Sequence, residues 1–313
     1  MGFCPDRHPA KLTRMIQKDK TVFELILISM RPRHWIKNLF LFVGVFFSHQ
    51  LLDPWKLGYA ACGFAIFCLA SSSVYLFNDI IDVTRDRVHP QKSLRPIAAG
   101  LLRQRMAGQA AAVLLIISSM LSILIGMHFF AFLVGYLVLN ILYSTVLKHL
   151  ILLDVMCIAA GFMLRVLAGC VLAAAPPSEW LILCSINLSL LLGFSKRRQT
   201  LSLKMDVEGR PVKNFSQYSD TLLNQLIAIS GATSIIAYLL YAASVDKAMQ
   251  SGNAYLLLTT PFVLYGIFRY LFLIYGHSAL DNPTDIIVSD KPFIANLVCW
   301  VVVAFALHYL LQT

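Results

Sequence analysis

The nonapeptide Asn78-Asp79-Ile80-Ile81-Asp82-Val83-Thr84-Arg85-Asp86 closes a long apolar segment, residues 57–77. An apolar run of that length is read as a membrane-spanning helix. If the helix continues, Asp79, Asp82 and Asp86 stand at i, i+3 and i+7 and share one face. Like charges stacked this way repel, and a bridging cation relieves the repulsion. Oxygen-only ligands suit a hard cation, and Mg²⁺ is commonly held by one or two carboxylates plus substrate phosphates. The stretch therefore reads as a Mg²⁺–diphosphate site at a membrane surface, with Mn²⁺ as the alternative ion and Asn78 beside it. The other reading is a solvated acidic helix end. Against it stands the basic run that follows at once: Arg85, Arg87, His89, Lys92 and Arg95.

The rest of the chain has the same character. Of 313 residues 58% are hydrophobic and only 13% are charged, which describes a polytopic membrane protein and excludes a soluble domain of ordinary size. The start is polar and basic, without the apolar core of a cleavable signal. Nine spans are expected, near 38–52, 57–77, 106–125, 127–147, 151–173, 180–195, 221–243, 254–275 and 292–311. Residues 1–23 read as a basic tail and 24–313 as one all-α transmembrane domain. On this topology 22 of the 26 Lys and Arg fall on one face, two (Lys56 and Lys247) on the other, and Arg165 and Arg269 within helices. The positive-inside rule then makes the N-terminus and the charged loops cytoplasmic. The net charge of +10 belongs beside anionic lipid and anionic metabolites, not nucleic acid. The seven cysteines form no CxxC pair and read as small buried hydrophobes.

Polar residues gather on the predicted cytoplasmic side. Arg31-Pro32-Arg33-His34-Trp35-Ile36-Lys37-Asn38 leads into the first span. Its Arg and Trp are either interface anchors or, through Lys37 or Arg33, a phosphate contact. Arg95 can grip phosphate bidentately if the loop of residues 92–100 folds back over the carboxylates. Asn140 and Tyr143, three residues apart in an apolar helix, face a cavity or bond between helices. Lys148 follows at the end of that helix. Asp154 and Arg165 are eleven residues apart, close to three turns, and share a face. An intramembrane Arg is a functional-site candidate. Ser195-Lys196-Arg197-Arg198 opens the next charged loop, and Asp281 and Asp285 offer a second acidic pair.

Asn78-Asp79-x-x-Asp82-x-x-x-Asp86 resembles the NDxxDxxxD motif of the UbiA superfamily of intramembrane prenyltransferases, a nine-helix bundle. Four further groups make the resemblance narrower: Arg31-Pro32-x-x-Trp35-x-Lys37-Asn38, Arg95-Pro96-Ile97-Ala98-Ala99-Gly100, Tyr143-Ser144-x-x-Leu147-Lys148-His149 and Lys196-Arg197-Arg198. Together with Leu153-Asp154-Val155 and Gly161-Phe162-x-Leu164-Arg165, they are similar to the decaprenyl-phosphate phosphoribosyltransferase branch. Aromatic-prenylating members carry a second Asp-rich motif in the sixth–seventh loop. Here that loop opens on three cations and offers only Asp206, Glu208 and Asp220 further on.

The resemblance implies transfer of 5-phosphoribose from phosphoribosyl diphosphate (PRPP) to a polyprenyl phosphate lipid in a bacterial inner membrane, for an envelope-glycan pentose donor. It implies Mg²⁺ on Asp79, Asp82 and Asp86. Lys148, Arg165, Lys196, Arg197 and Arg269 become clamps for the lipid phosphate and the sugar 5-phosphate. Lys37, Asn78, Arg85, Lys92, Arg95, Asn140, Tyr143 and Asp154 complete the substrate site. The competing reading in the same fold is an aromatic prenyltransferase that uses prenyl diphosphate. From another class come a lipid-phosphate transporter and a scaffold; a transporter would call for internal repeats or broken helices with midplane polar sites, whereas no clear repeat is visible and the polar residues cluster at one face.

Overall fold

The structure is a computed structural model, and it describes residues 20–48, 50–88, 92–202, 218–248, 255–276 and 289–307. The described residues form helices and turns, with no strand. Seven helices are long and apolar enough to cross a membrane. They are α3 (Pro54–Ile81), α5 (Gln104–Ile125), α6 (Met127–Thr145), α7 (Leu153–Ala173), α8 (Glu179–Ser202), α9 (Asp220–Ala248) and α10 (Thr260–Gly276), the last preceded by a 3-10 turn at Tyr255–Thr259. These match seven of the nine expected spans. The ninth is present as the shorter apolar helix α11 (Lys291–Phe305).

The expected first span, 38–52, is replaced by shorter pieces. Helix α1 (Val22–Met30) starts on a capping box, in which Thr21 Oγ1 accepts from Glu24 N (3.3 Å) and Glu24 Oε2 accepts from Thr21 N (2.7 Å). The box satisfies two otherwise orphaned amides. Helix α1 ends where Arg31 turns left-handed (φ 56°) and Pro32, lacking an N–H, stops continuation. A 3-10 helix, Pro32–Phe40, and the seven-residue α2 (Leu41–Phe47) follow. Hydropathy alone joined α2 to its polar approach.

The chain divides into two compact units, 1–145 with 164–175, and 146–163 with 176–313. In the first unit, Leu41, Phe67, Phe129, Leu133, Tyr136 and Leu172 form one core, and Leu25, Met30, Leu76, Val83, Ile97 and Leu102 form another. Small residues bring these helices close. A Cβ on Gly169 would lie 2.1 Å from the Leu41 carbonyl oxygen, and one on Gly44 would lie 2.6 Å from Cys170 N. The second unit packs around Val155, Leu191, Phe194, Leu223, Ile227 and Tyr270.

Helix α3 positions the acidic motif. Asp53 caps its start by accepting from Trp55 N (2.9 Å) and Lys56 N (3.3 Å), with Pro54 as first residue. At 1.5 Å per residue its 28 residues run about 42 Å, longer than the roughly 30 Å hydrocarbon core. Its last turn, which carries Asn78 and Asp79, therefore has length to spare beyond the apolar layer.

Candidate active site

Helix α3 ends at Ile81, Asp82 takes the cap position, and a short helix α4 (Val83–Val88) takes over. The i→i−4 bonding nevertheless runs through the join, from Asp82 N to Asn78 O (2.9 Å) and from Asp86 N to Asp82 O (2.8 Å). Asp79 and Asp86 are buried, whereas Asp82 is half-buried.

Two guanidinium groups meet the buried carboxylates. Arg95 Nη1 donates to Asp79 Oδ1 (3.1 Å) and to Asp86 Oδ2 (2.5 Å). Arg31 Nη2 donates to the same Asp79 Oδ1. The loop of residues 92–100 does fold back, and its sequence explains how. Pro96 O accepts from Leu101 N and Leu102 N, Ile97 and Leu102 are buried in the core, and Gly100 is left-handed (φ 77°). The tight turn so anchored delivers Arg95. The guanidinium of Arg31 lies 5.0 Å from the centre of the Tyr75 ring, a cation–π contact.

Burial and the Arg95 charge lower the Lys92 ammonium below the ordinary lysine range, against the pull of Asp86 and Asp82. Burial also lowers Arg31, opposed first by Asp79.

Among the described residues no three His, Cys, Asp or Glu side chains converge on one point. Asp82, half-buried at the join between α3 and α4, stands apart from the two buried carboxylates in exposure, although helical bonding continues through it. What converges is a pair, Asp79 and Asp86, linked through Arg95. Two carboxylate oxygens beside several cations fit a hard divalent ion completed by phosphate oxygens.

Other expected site residues have structural partners in the first unit. Asn78 Oδ1 accepts from Ser144 Oγ (2.6 Å). Asn140 Nδ2 donates to Tyr136 O of its own helix (2.7 Å). Arg165 is buried, donating to Asn38 Oδ1 (2.8 Å) and Tyr136 Oη (3.0 Å). Lys37 and Tyr143 are half-buried and Arg85 is exposed. Trp35 Nε1 donates to Ser72 Oγ (3.1 Å), so it pins the 3-10 segment onto α3.

In the second unit Asp154 is buried and accepts from Tyr218 Oη (2.9 Å) and Val155 N (2.8 Å), while Arg197 Nε lies 2.5 Å from its other oxygen. Tyr218 Oη also accepts from Leu152 N (2.7 Å), a residue held left-handed. Burial first, and Asp154 next to it, push the Tyr218 phenol up to about 12. Arg198 donates to Asn224 Oδ1 and to the Ile274 carbonyl, and Arg269 pairs with Asp290, which caps α11. Lys196 is exposed and Lys148 half-buried. Asp206, Glu208, Asp281 and Asp285 lie outside the described residues.

Two participants escaped sequence reasoning. Arg31 reads there as an interface anchor, and nothing in local spacing links it to a carboxylate 48 residues away. No sequence signal points to Tyr218.

The model of the UbiA prenyltransferase family matches residues 38–285. The chain belongs to the UbiA prenyltransferase family. A decaprenyl-phosphate phosphoribosyltransferase of Mycolicibacterium smegmatis is 30% identical over 90% of this chain and 92% of its own length. The enzyme of the same name from Corynebacterium glutamicum is 28% identical over 91% and 87%. A UbiA homologue from Archaeoglobus fulgidus, solved with GPP and Mg²⁺, superposes with a TM-score of 0.68 over 90% of this chain and 99% of its own, at 18% identity. That likeness shows the UbiA fold.

Proposed function

We propose that the protein is a phosphoribosyltransferase that moves 5-phosphoribose from PRPP to a polyprenyl phosphate in the membrane, releasing diphosphate. The observation that carries this reading is the pairing of two buried motif carboxylates, Asp79 and Asp86, with the cations Arg31 and Arg95. A divalent ion with a diphosphate needs carboxylates for the metal and cations for the phosphate oxygens, and both stand together here. The decaprenyl-phosphate phosphoribosyltransferases similar over nine-tenths of the chain support the same substrates.

Asp79 and Asp86, with Asp82 beside them, would hold Mg²⁺, which when bound neutralises charge on the departing diphosphate as Lewis acid and template. Arg31, Lys92 and Arg95 supply cations to the phosphate oxygens. The bond from the anomeric carbon to diphosphate breaks, and its electron pair leaves with the diphosphate. A lipid phosphate oxygen forms the new bond to that carbon through an oxocarbenium-like state. The acceptor is already anionic at neutral pH, so no strong general base is needed. What the chain contributes is positioning and electrostatic preorganisation.

The test is transfer of label from ribose-labelled PRPP to decaprenyl phosphate by purified protein in Mg²⁺ buffer. Labelled lipid, absent without divalent metal, is the expected result. Prenyl transfer from prenyl diphosphate to 4-hydroxybenzoate, without ribose transfer, would overturn the proposal.

A further inference from the structure

Arg31 and Arg95 hold one oxygen of each of the two buried carboxylates proposed to bind the metal. Asp79 Oδ1 accepts from both guanidinium groups, and Asp86 Oδ2 accepts from Arg95. Asp79 is 3% exposed at its side chain and Asp86 2%, while Arg31 is 23% and Arg95 28% exposed. The carboxylates are thus fixed and the arginines reach in from a more open side. Arg31 is the single residue between α1 and the 3-10 helix, in a left-handed conformation that a non-glycine residue adopts at a cost.

We propose that Arg31 is a counter-ion that exchanges: it competes with the divalent metal for Asp79 and, when the donor's diphosphate arrives with the metal, transfers to a diphosphate oxygen. Metal and diphosphate binding are then interdependent. Metal alone must displace a guanidinium that has nowhere better to go. Metal with diphosphate gives that guanidinium an anion of higher charge, so the displacement costs little. Arg95, bridging both carboxylates, moves in the same sense. The consequence is a site that binds its metal tightly only with a diphosphate-bearing donor. The inference rests on the proposed metal–diphosphate site, and it leaves open which diphosphate ester the protein prefers.

The experiment is direct Mn²⁺ binding, read by electron paramagnetic resonance of the free ion, on full-length protein in nanodiscs. It is run with Mn²⁺ alone, with PRPP and with geranyl diphosphate, and protein-free controls correct for chelation. Wild-type protein should bind Mn²⁺ weakly alone and roughly 5- to 150-fold more tightly with the donor, the usual span of coupling between sites. Arg31→Asn removes the charge with a residue that tolerates the left-handed conformation. It should bind Mn²⁺ alone more tightly than wild type and show a smaller donor-induced gain. Arg31→Lys keeps a positive charge and should stay close to wild type with Mn²⁺ alone.

Equal Mn²⁺ affinity and equal coupling in wild type and Arg31→Asn would overturn the exchange. So would tight binding by Arg31→Lys that equals Arg31→Asn, since the effect would then follow from the fold. Coupling with geranyl diphosphate but none with PRPP would leave the exchange standing and remove the phosphoribosyl reading. Unchanged Mn²⁺ binding in Asp79→Asn would place the metal elsewhere and overturn both.

Discussion

At the scale of single residues, the two buried carboxylates and Lys92 carry the sharpest expectations. Asp79→Asn and Asp86→Asn keep size and lose charge, so Arg31 and Arg95 face a neutral amide and the metal loses a ligand. Each variant should lose at least about a hundredfold in turnover, equivalent to about 2.7 kcal/mol at 1.36 kcal/mol per tenfold. Initial rates of lipid labelling check this, and full activity of either variant would contradict the site. Lys92 makes a pH prediction. Its ammonium is held below the ordinary lysine range by burial first and by Arg95 next. The proton is lost as pH rises, so the cation proposed to bind phosphate disappears on the alkaline side. kcat/KM should fall at a lower pH than an ordinary lysine would give, because that ratio reports the free enzyme. Bound phosphate pulls the proton back, so kcat should fall at higher pH. Lys92→Arg, with a guanidinium that stays charged, should flatten the alkaline limb. An unchanged pH profile in that variant would exclude Lys92 as its origin.

At the scale of elements, the approach of α2 to α7 is decided by two glycines. Gly169 leaves room for the Leu41 carbonyl and Gly44 for the Cys170 backbone. Without a strong hydrophobic drive between helices in lipid, such small-residue crossings hold membrane bundles together. The neighbouring Asn38–Arg165–Tyr136 bonds sit at the same junction, and they satisfy an Arg buried in an apolar helix. Gly169→Ala should lower stability by about 1–3 kcal/mol, the usual cost of overpacking, because its Cβ meets backbone that cannot rotate away. Thermal unfolding in detergent checks this. Gly169→Ala and Gly44→Ala together should cost less than their sum, since both open the same contact. Strict additivity would mean that the two glycines act separately.

At the scale of the whole molecule, the expectation is one of orientation. On the nine-span reading Lys and Arg divide 22 to 2 between the two faces, and the positive-inside rule turns that bias into an expected topology. Arg85 lies beyond the end of α3 and Lys56 at its start, so the two must label from opposite sides. In a cysteine-free background, Arg85→Cys should react with an impermeant maleimide only from the cytoplasmic side and Lys56→Cys only from the other. Labelling of both from one side would refute the topology and the cytoplasmic placement of the motif.

Much of the molecule was legible from residues 20–313 read in order. Hydropathy is a local sum over about 20 residues, so the seven long helices follow from it, and so does the motif at the end of α3. The family followed from motifs of the same local kind. Local patterning failed where a neighbour far along the chain takes over. The segment 38–52 reads as a span, yet Arg31-Pro32 and the Trp35–Ser72 bond hold its approach in a 3-10 helix. Helical spacing put three aspartates on one face, and it does not show that Arg95 bridges Asp79 and Asp86. Spacing also does not reveal that Asp154 meets Tyr218 and Arg197, or that Arg165 meets Asn38 and Tyr136. Their partners are separated from them in sequence by as many as 127 residues. The sequence by itself determined the class of fold, the seven long apolar helices and the family, because those depend on composition, short-range period and local motifs. Only the tertiary structure decided which cation meets which carboxylate. A buried charge takes the partner that packing brings within hydrogen-bond reach, and that distance is unrelated to separation along the chain.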